Sequence, residues 1–300
     1  MHPVPVFWNV ASGRAEIETQ LYGAASEAGI ALDLRPVEPG ELAAKIREAA
    51  TANVPVVGVA GGDGSVSTAA QVLAGKRTAL AVFPAGTLNH FARALGIGDH
   101  RAAARALAAR AIDGVDVGEV NGRVFVNGVS FGLYPQMLRL RERWEPRIGK
   151  WPAALYAAGR AVAEFPHGPL WRDAGDAASR YPLVWVGAGR GSFRSPRRNP
   201  RELRSGVLEL VIVSTHSRSR ILRLARTTLM RGLDGLTACE DSPGCTVQEV
   251  TEFQPPDPLP SVVHAGLDGE LVRLHPPLRF RVRPRALRVV CPSDAEDPAL

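Results

Sequence analysis

The chain has 300 residues, 45% hydrophobic and 22% charged, with a net charge of +6. That length suits two domains, each burying its own core, and that composition excludes disordered and fibrous classes. No apolar run is long enough to span a bilayer, Met1-His2-Pro3-Val4-Pro5 lacks a secretory leader pattern, and Cys239, Cys245 and Cys291 form neither an even disulfide framework nor a metal-ligand spacing, so a cytoplasmic protein with reduced thiols is expected.

Val4 to Val10 reads as a short apolar strand that runs into Asn9-Val10-Ala11-Ser12-Gly13-Arg14. Helix Ala15–Gly29, strand Ile30–Val37 and a helix from Pro39 to about Ala52 follow. Val54 to Ala60 is a run of small apolar residues, the mark of a buried parallel strand. It ends in Gly61-Gly62-Asp63-Gly64-Ser65, where Ser65 is placed to cap the next helix. A strand, a turn with almost no side chains and a helix N-terminus together make an anion site, because backbone N–H groups can approach phosphate oxygens. Asp63 would repel phosphate, so it suits a metal ion between the two, a loop contact or a substrate hydroxyl. A plain glycine-rich turn that happens to carry an Asp is an equal reading. Leu80–Phe83 is another strand, leading into Pro84-Ala85-Gly86-Thr87-Leu88-Asn89-His90. Helices at about Asn89–Leu95 and His100–Arg110 complete an alternation that predicts a doubly wound parallel sheet over the first ~115 residues. Ligands of such sheets bind beyond the carboxyl ends of the strands. Asn9 to Gly13, Gly61 to Ser65 and Pro84 to Asn89 all lie at such ends.

The pattern changes near Asp113. Residues 114–126 alternate around an Asn121-Gly122 hairpin turn. Strands are predicted at 183–188, 207–213, 247–253, 262–264, 271–274, 278–282 and 287–290, with helices at Trp151–Phe165 and about Ser219–Leu233. These predict an antiparallel β-sandwich. The expected division is an α/β nucleotide domain at 1–115, a sandwich domain at 116–292 whose last strand is free to return to the first, and an acidic tail at 293–300. Two basic stretches stand out. Arg190 to Arg204 carries six arginines and one glutamate; Arg139 to Lys150 carries five basic residues and two glutamates, beside Trp144 and Trp151. A solvated loop and a charged helix end explain the two runs singly, and contact with anionic lipid headgroups is the functional reading. No nucleic-acid-binding signature appears, so a nucleic-acid partner is not expected.

Asp268-Gly269 between Leu267 and Leu271 is an ordinary hairpin signal. The same turn can present Glu270 as a general base, which a kinase needs near its acceptor hydroxyl. Walker A and G-x-G-x-x-G motifs are absent, and the histidines lack ligand spacing.

In order, Asn9-x-x-Ser12-Gly13, Gly61-Gly62-Asp63-Gly64-Ser65, Gly86-Thr87-x-Asn89 and Asp268-Gly269-Glu270 resemble the diacylglycerol kinase catalytic-domain family, which includes bacterial lipid kinases and sphingosine kinases. The resemblance covers roughly Val4 to Val290. It implies an α/β domain and a β-sandwich with the site in the cleft between them. Gly61 to Ser65, Gly86, Thr87 and Asn89 would bind the ATP phosphates, and Asn9, Ser12 and Gly13 would close the nucleotide site. Asp63 and Asp116 would place Mg²⁺. Glu270 would take the proton from the hydroxyl of a lipid alcohol (diacylglycerol, a sphingoid base or phosphatidylglycerol) at an anionic membrane surface, with Asp63 and Asp268 completing the catalytic set. His90 stands where the family often has Asp, Val10 where it has Pro, Pro36 where it has Thr, and Ser205 where it often has an Asp for a structural metal; no such metal is expected here. An NAD kinase-like enzyme and an inactive nucleotide-binding regulator are the alternative functions. A homodimer is left open.

Overall fold

The structure is a computed structural model that describes residues 3–9, 14–38, 40–164, 171–173, 176–181, 183–193, 200–214, 219, 245–255 and 259–292. Ser12, Gly13, Cys239, most of the helix expected at 219–233 and the acidic tail lie outside the described residues. The elements in chain order begin β1 (Val4–Asn9), α1 (Arg14–Glu27), β2 (Leu32–Val37), α2 (Leu42–Thr51), β3 (Val56–Gly61), α3 (Asp63–Leu73), β4 (Ala79–Pro84), α4 (His90–Ala94) and α5 (His100–Ala109). Strands β1 to β4 pair in parallel in the order β2-β1-β3-β4. All-parallel strands are covered on both faces, and Val57, Val59, Leu80 and Phe83 are accordingly buried. The strand order reverses between β1 and β3, which leaves a crevice beyond Asn9 and Gly61.

The sheet does not end at residue 115. β5 (Ile112–Val120) is one continuous strand, and β6 (Arg123–Phe125) folds back on it through Asn121 and Gly122, both at positive φ as a tight hairpin requires. β16 (Phe280–Val290) inserts between β4 and β5, parallel to one and antiparallel to the other. The two strands expected at 278–282 and 287–290 are therefore one. Pro284 and Arg285 look like a break in the sequence, but the ladder only shifts register between Arg283 and Leu287. The amide freed by the irregularity, Arg285 N–H, donates to Asp116 Oδ1 at 2.8 Å.

The remaining elements are β7 (Gly128–Gly132), α6 (Leu133–Ile148), α7 (Lys150–Glu164), β8 (Trp171–Asp173), β9 (Asp176–Tyr181), β10 (Leu183–Ala188), β11 (Leu208–Val213), β12 (Cys245–Val250), β13 (Glu252–Phe253), β14 (Val263–Leu267) and β15 (Glu270–Leu274). A six-stranded antiparallel sheet has the order β12-β11-β10-β7-β14-β15. Its apolar face shares a core with the far ends of β5, β6, β13 and β16 through Val120, Phe125, Phe253 and Phe280. The second layer of this sandwich is thus supplied by strands of the first sheet. Phe280 is its hub, with Phe125, Phe131 and Phe253 ring centroids at 6.4, 5.9 and 5.9 Å. Helix α6 was not foreseen as a helix; its sequence reads as a charge run and contains Pro146.

Phe280 is fully buried where the two sheets meet. Phe280→Ala should lower stability by about 3–5 kcal/mol in a urea titration. A cost under about 1 kcal/mol would mean that the sheets do not share this core.

Candidate active site

Three turns meet beyond the carboxyl ends of β3 and β4. Gly62, in extended conformation, precedes α3 and offers no side-chain cap, so the first-turn N–H groups of an 11-residue helix are not claimed by a capping side chain. Ser65 is therefore not the cap expected from sequence. It lies within the first turn, and a Cβ on Gly61 would fall 2.6 Å from its Oγ. The turn after β4 packs directly on Gly62: a Cβ built on Gly86 would stand 2.5 Å from Gly62 Cα. Only two glycines let these backbones approach so closely. Asn89 fixes the second turn. It sits in the left-handed region at φ 51°, its Oδ1 accepts from Gly86 N–H at 2.9 Å, and its Nδ2 donates to Gly86 C=O at 2.8 Å. Thr87 is exposed on the same turn. Asp63 Oδ1 accepts from Phe91 N–H at 3.3 Å and so links the starts of α3 and α4. Asn9 ends β1.

The third turn comes from the other sheet. Asp268 and Gly269, both at positive φ, form the β14–β15 hairpin, and Glu270 is the first residue after it. A Cβ on Gly64 would lie 2.8 Å from Glu270 Oε1. The late hairpin thus brings its carboxylate against the first turn of α3. Burial pushes the Glu270 carboxyl above the usual glutamate range, and the negative charges of Asp268 and Glu142 push it further.

Asp268 is placed differently from an acid that handles substrate. Its Oδ1 accepts from the amides of Asn127 and Gly128 at 2.8 and 3.0 Å, and its Oδ2 from Val126 at 3.0 Å. Burial pushes this carboxyl up as well, while those amides and the Ser67 hydroxyl pull it back. With its oxygens so engaged, it holds the turn that carries Glu270. Asp116, expected to help place Mg²⁺, is engaged by the backbone. Its two oxygens accept from Arg285 N–H at 2.8 Å and Gly206 N–H at 2.6 Å, so it seals the irregularity in β16. Among the described residues, no three His, Cys, Asp or Glu side chains form a metal-ligand cluster.

Asp63, Gly64, His90, Asn127, Asp268 and Glu270 form the polar end of a cleft of about 510 Å³. Leu88, Tyr134, Met137, Leu138, Trp151, Ala154, Ala157 and Trp185 supply its apolar wall. Sequence reasoning missed α6 and α7 as this wall. It also missed Asn127, whose buried Oδ1 has no hydrogen-bond partner among the described residues, and Arg141, which lines the cleft with its Nε 3.4 Å from Glu145. A larger cavity of about 900 Å³ along β1, β2 and α2 has no comparable set of glycines and carboxylates.

Fold and site define a two-domain protein with a glycine-turn crevice in an α/β domain and a carboxylate delivered from an antiparallel sheet. Residues 3–120 match the diacylglycerol kinase catalytic domain. It is 38% identical over 125 residues to a "Probable lipid kinase YegS-like" of Pseudomonas aeruginosa strain PAO1, a match covering 41% of each protein. A YegS-like relative from Pseudomonas savastanoi pv. phaseolicola is 29% identical over 281 residues, covering 89% of this chain and 86% of that one. A diacylglycerol kinase of Bacillus subtilis strain 168 is 38% identical over 92 residues, 29% of this chain and 30% of that one. The crystal structure of a diacylglycerol kinase from Bacillus anthracis str. Sterne superposes with a TM-score of 0.61 over 98% of both chains at 19% identity, a likeness of fold.

The two acids of the hairpin should separate by experiment. Asp268→Ala strands three amides and should cost roughly 3 kcal/mol or more in a urea titration. Glu270→Gln should be at least as stable as the parent at neutral pH. The sign follows from its raised carboxyl, whose ionised form opposes folding as pH rises past its unfolded value. Equal destabilisation by both changes would contradict this division.

Proposed function

We propose that the protein is an ATP- and Mg²⁺-dependent kinase that phosphorylates the hydroxyl of a lipid alcohol. The carrying observation is Glu270 Oε1 resting against Gly64, at the junction of a phosphate-suited turn and a largely apolar cleft. The match of residues 3–120 to the diacylglycerol kinase catalytic domain supports a kinase, and the names of the lipid-kinase relatives support a lipid acceptor. Diacylglycerol is the default acceptor, and the apolar cleft wall favours it over a dinucleotide such as NAD.

The facing Gly62–Gly86 turns and the first-turn amides of α3 fit a chain of phosphates, because any Cβ would fill the space between the turns. Asp63 fits Mg²⁺, which commonly takes one or two carboxylates and completes its shell with phosphate oxygens and water. When bound, the ion would neutralise charge on the transferring phosphoryl group. The acceptor hydroxyl lies at Glu270, which takes its proton as the oxygen forms a bond to the γ-phosphorus and the bond to ADP breaks. A raised pKa makes Glu270 a better proton acceptor than a solvated glutamate.

Transfer of γ-labelled phosphate to total lipid extract, followed by chromatography, tests the reading. Labelled lipid should appear, and Glu270→Gln should reduce kcat at least ~100-fold, the lower range for a lost general base, while ATP binding persists. ATP binding without transfer to any lipid would select the regulator instead.

The rate should fall as pH drops through the raised pKa of Glu270, since the reaction needs its ionised form. Glu142→Gln removes a charge that raises that pKa, so the acid limb of the pH–rate profile should move to lower pH. An unmoved limb, or one moved upward, would show that Glu270 does not set it.

A further inference from the structure

We infer that the α6–α7 hairpin is the element that settles into an anionic bilayer surface, and that the acceptor passes from the bilayer into the cleft along these two helices. The inference rests on the lipid-acceptor reading of the cleft and names the surface that serves it. Tyr22, Leu88, Ile148, Trp151, Leu155 and Tyr156 are the exposed large hydrophobic residues among those described. Four of these six lie on α6 or α7, and Leu88 lines the cleft. Trp151 and Leu155 are 71% and 66% exposed and stand one helical turn apart. Ala153 and Ala157 of the same helix are buried, so α7 has an inner face toward the protein and an outer apolar face that is exposed among the described residues.

The neighbouring helix supplies the charge. Arg139, Arg143 and Arg147 are exposed at i, i+4 and i+8 along one side of α6. Arg147 lies over the Trp144 ring at 5.4 Å, and Trp144 meets Tyr156 edge-on at 5.4 Å. Arginine heads and indole rings beside aliphatic side chains suit the headgroup layer, where one end of each group stays wet. Arg141, between them, turns into the cleft beside Glu145.

In the other basic stretch, two of the described arginines are already paired. Arg190 makes a bidentate pair with Glu249 at 2.7 and 2.8 Å, and the largely buried Arg204 pairs with Asp113 at 2.7 Å. Their charges are spent within the protein. A bilayer is favoured over a protein partner because Trp151 belongs both to the exposed face and to the wall of the apolar cleft. A lipid surface on that face supplies acceptor to the cleft, whereas a protein seated there would cover its mouth. No helix among the described residues is long and apolar enough to cross a membrane.

The test uses the full chain with vesicles of phosphatidylcholine alone or mixed with phosphatidylserine, sedimented without ATP at low and high salt. Binding should need phosphatidylserine and weaken with salt. Arg143→Ala with Arg147→Ala should weaken it roughly 30-fold, at ~1 kcal/mol per basic residue. Ile148→Ser with Leu155→Ser should weaken it at least ~10-fold and blunt the quenching of tryptophan fluorescence by brominated lipid. None of these four residues lines the cleft, so both double variants should keep the parent kcat on a dispersed short-chain diacylglycerol and show a raised KM on vesicles. Parent-like vesicle binding by both double variants, or binding by the parent that ignores lipid charge and salt, would overturn the inference. If the parent binds vesicles as described but transfers no phosphate even to the dispersed acceptor, the kinase reading fails and the docking surface stands.

Discussion

The grip of the Asp268 carboxylate on three successive backbone amides, Val126 to Gly128, is the constraint on which the site depends. Those amides follow β6 of the large sheet and lead into β7 of the antiparallel one. The carboxylate belongs to the hairpin between β14 and β15, so one buried group ties the late hairpin to the crossover between the sheets. A carboxylate is the side chain for this task because it is acceptor-only and can serve several N–H donors. Its position also requires positive φ, which Asp tolerates better than most residues. Once the turn is held, the two-residue spacing sends Glu270 toward Gly64. The most deeply buried acid of the site therefore determines where the chemically useful one stands.

Opposed glycines do the corresponding work on the side of the α/β domain. Gly62 and Gly86 bring two strand-end turns into backbone contact, and Asn89 fixes one of them by bonding both polar groups of Gly86. This side is nearly free of side chains, whereas the opposite side is built from tryptophan, tyrosine, leucine and methionine of α6, α7 and β10. A polar end fit for phosphates and an apolar end fit for acyl chains meet at one carboxylate. The exposed outer faces of α6 and α7 carry the same apolar character to the surface.

Much of this was legible in the chain. Small apolar runs followed at once by glycine mark β3 and its turn, since buried parallel strands and close backbone approach permit few alternatives. Asn121-Gly122 and Asp268-Gly269 mark hairpins for the same steric reason. Three features were hidden. Helix α6 alternates arginine and glutamate around Trp144 and contains a proline, so its inner face, with Leu133, Gln136 and Leu138, does not stand out from the charge. Strand β16 continues past Pro284 because the distant Asp116 satisfies the amide left over at Arg285. The backbone donors of Asp116, at Arg285 and Gly206, cannot be seen in the sequence. Each miss involves a partner more than a hundred residues away or a face defined only by tertiary packing.

The central claim is that the phosphoryl donor and the Glu270 carboxylate share one crevice. A crystal structure of the protein with a non-hydrolysable ATP analogue and Mg²⁺ tests it most directly. The account predicts the γ-phosphate at the Gly62–Gly86 turns, beside the first turn of α3 and on the side facing Glu270. A nucleotide seated in the cavity along β1 and β2, or one whose γ-phosphate points away from Glu270, would contradict it.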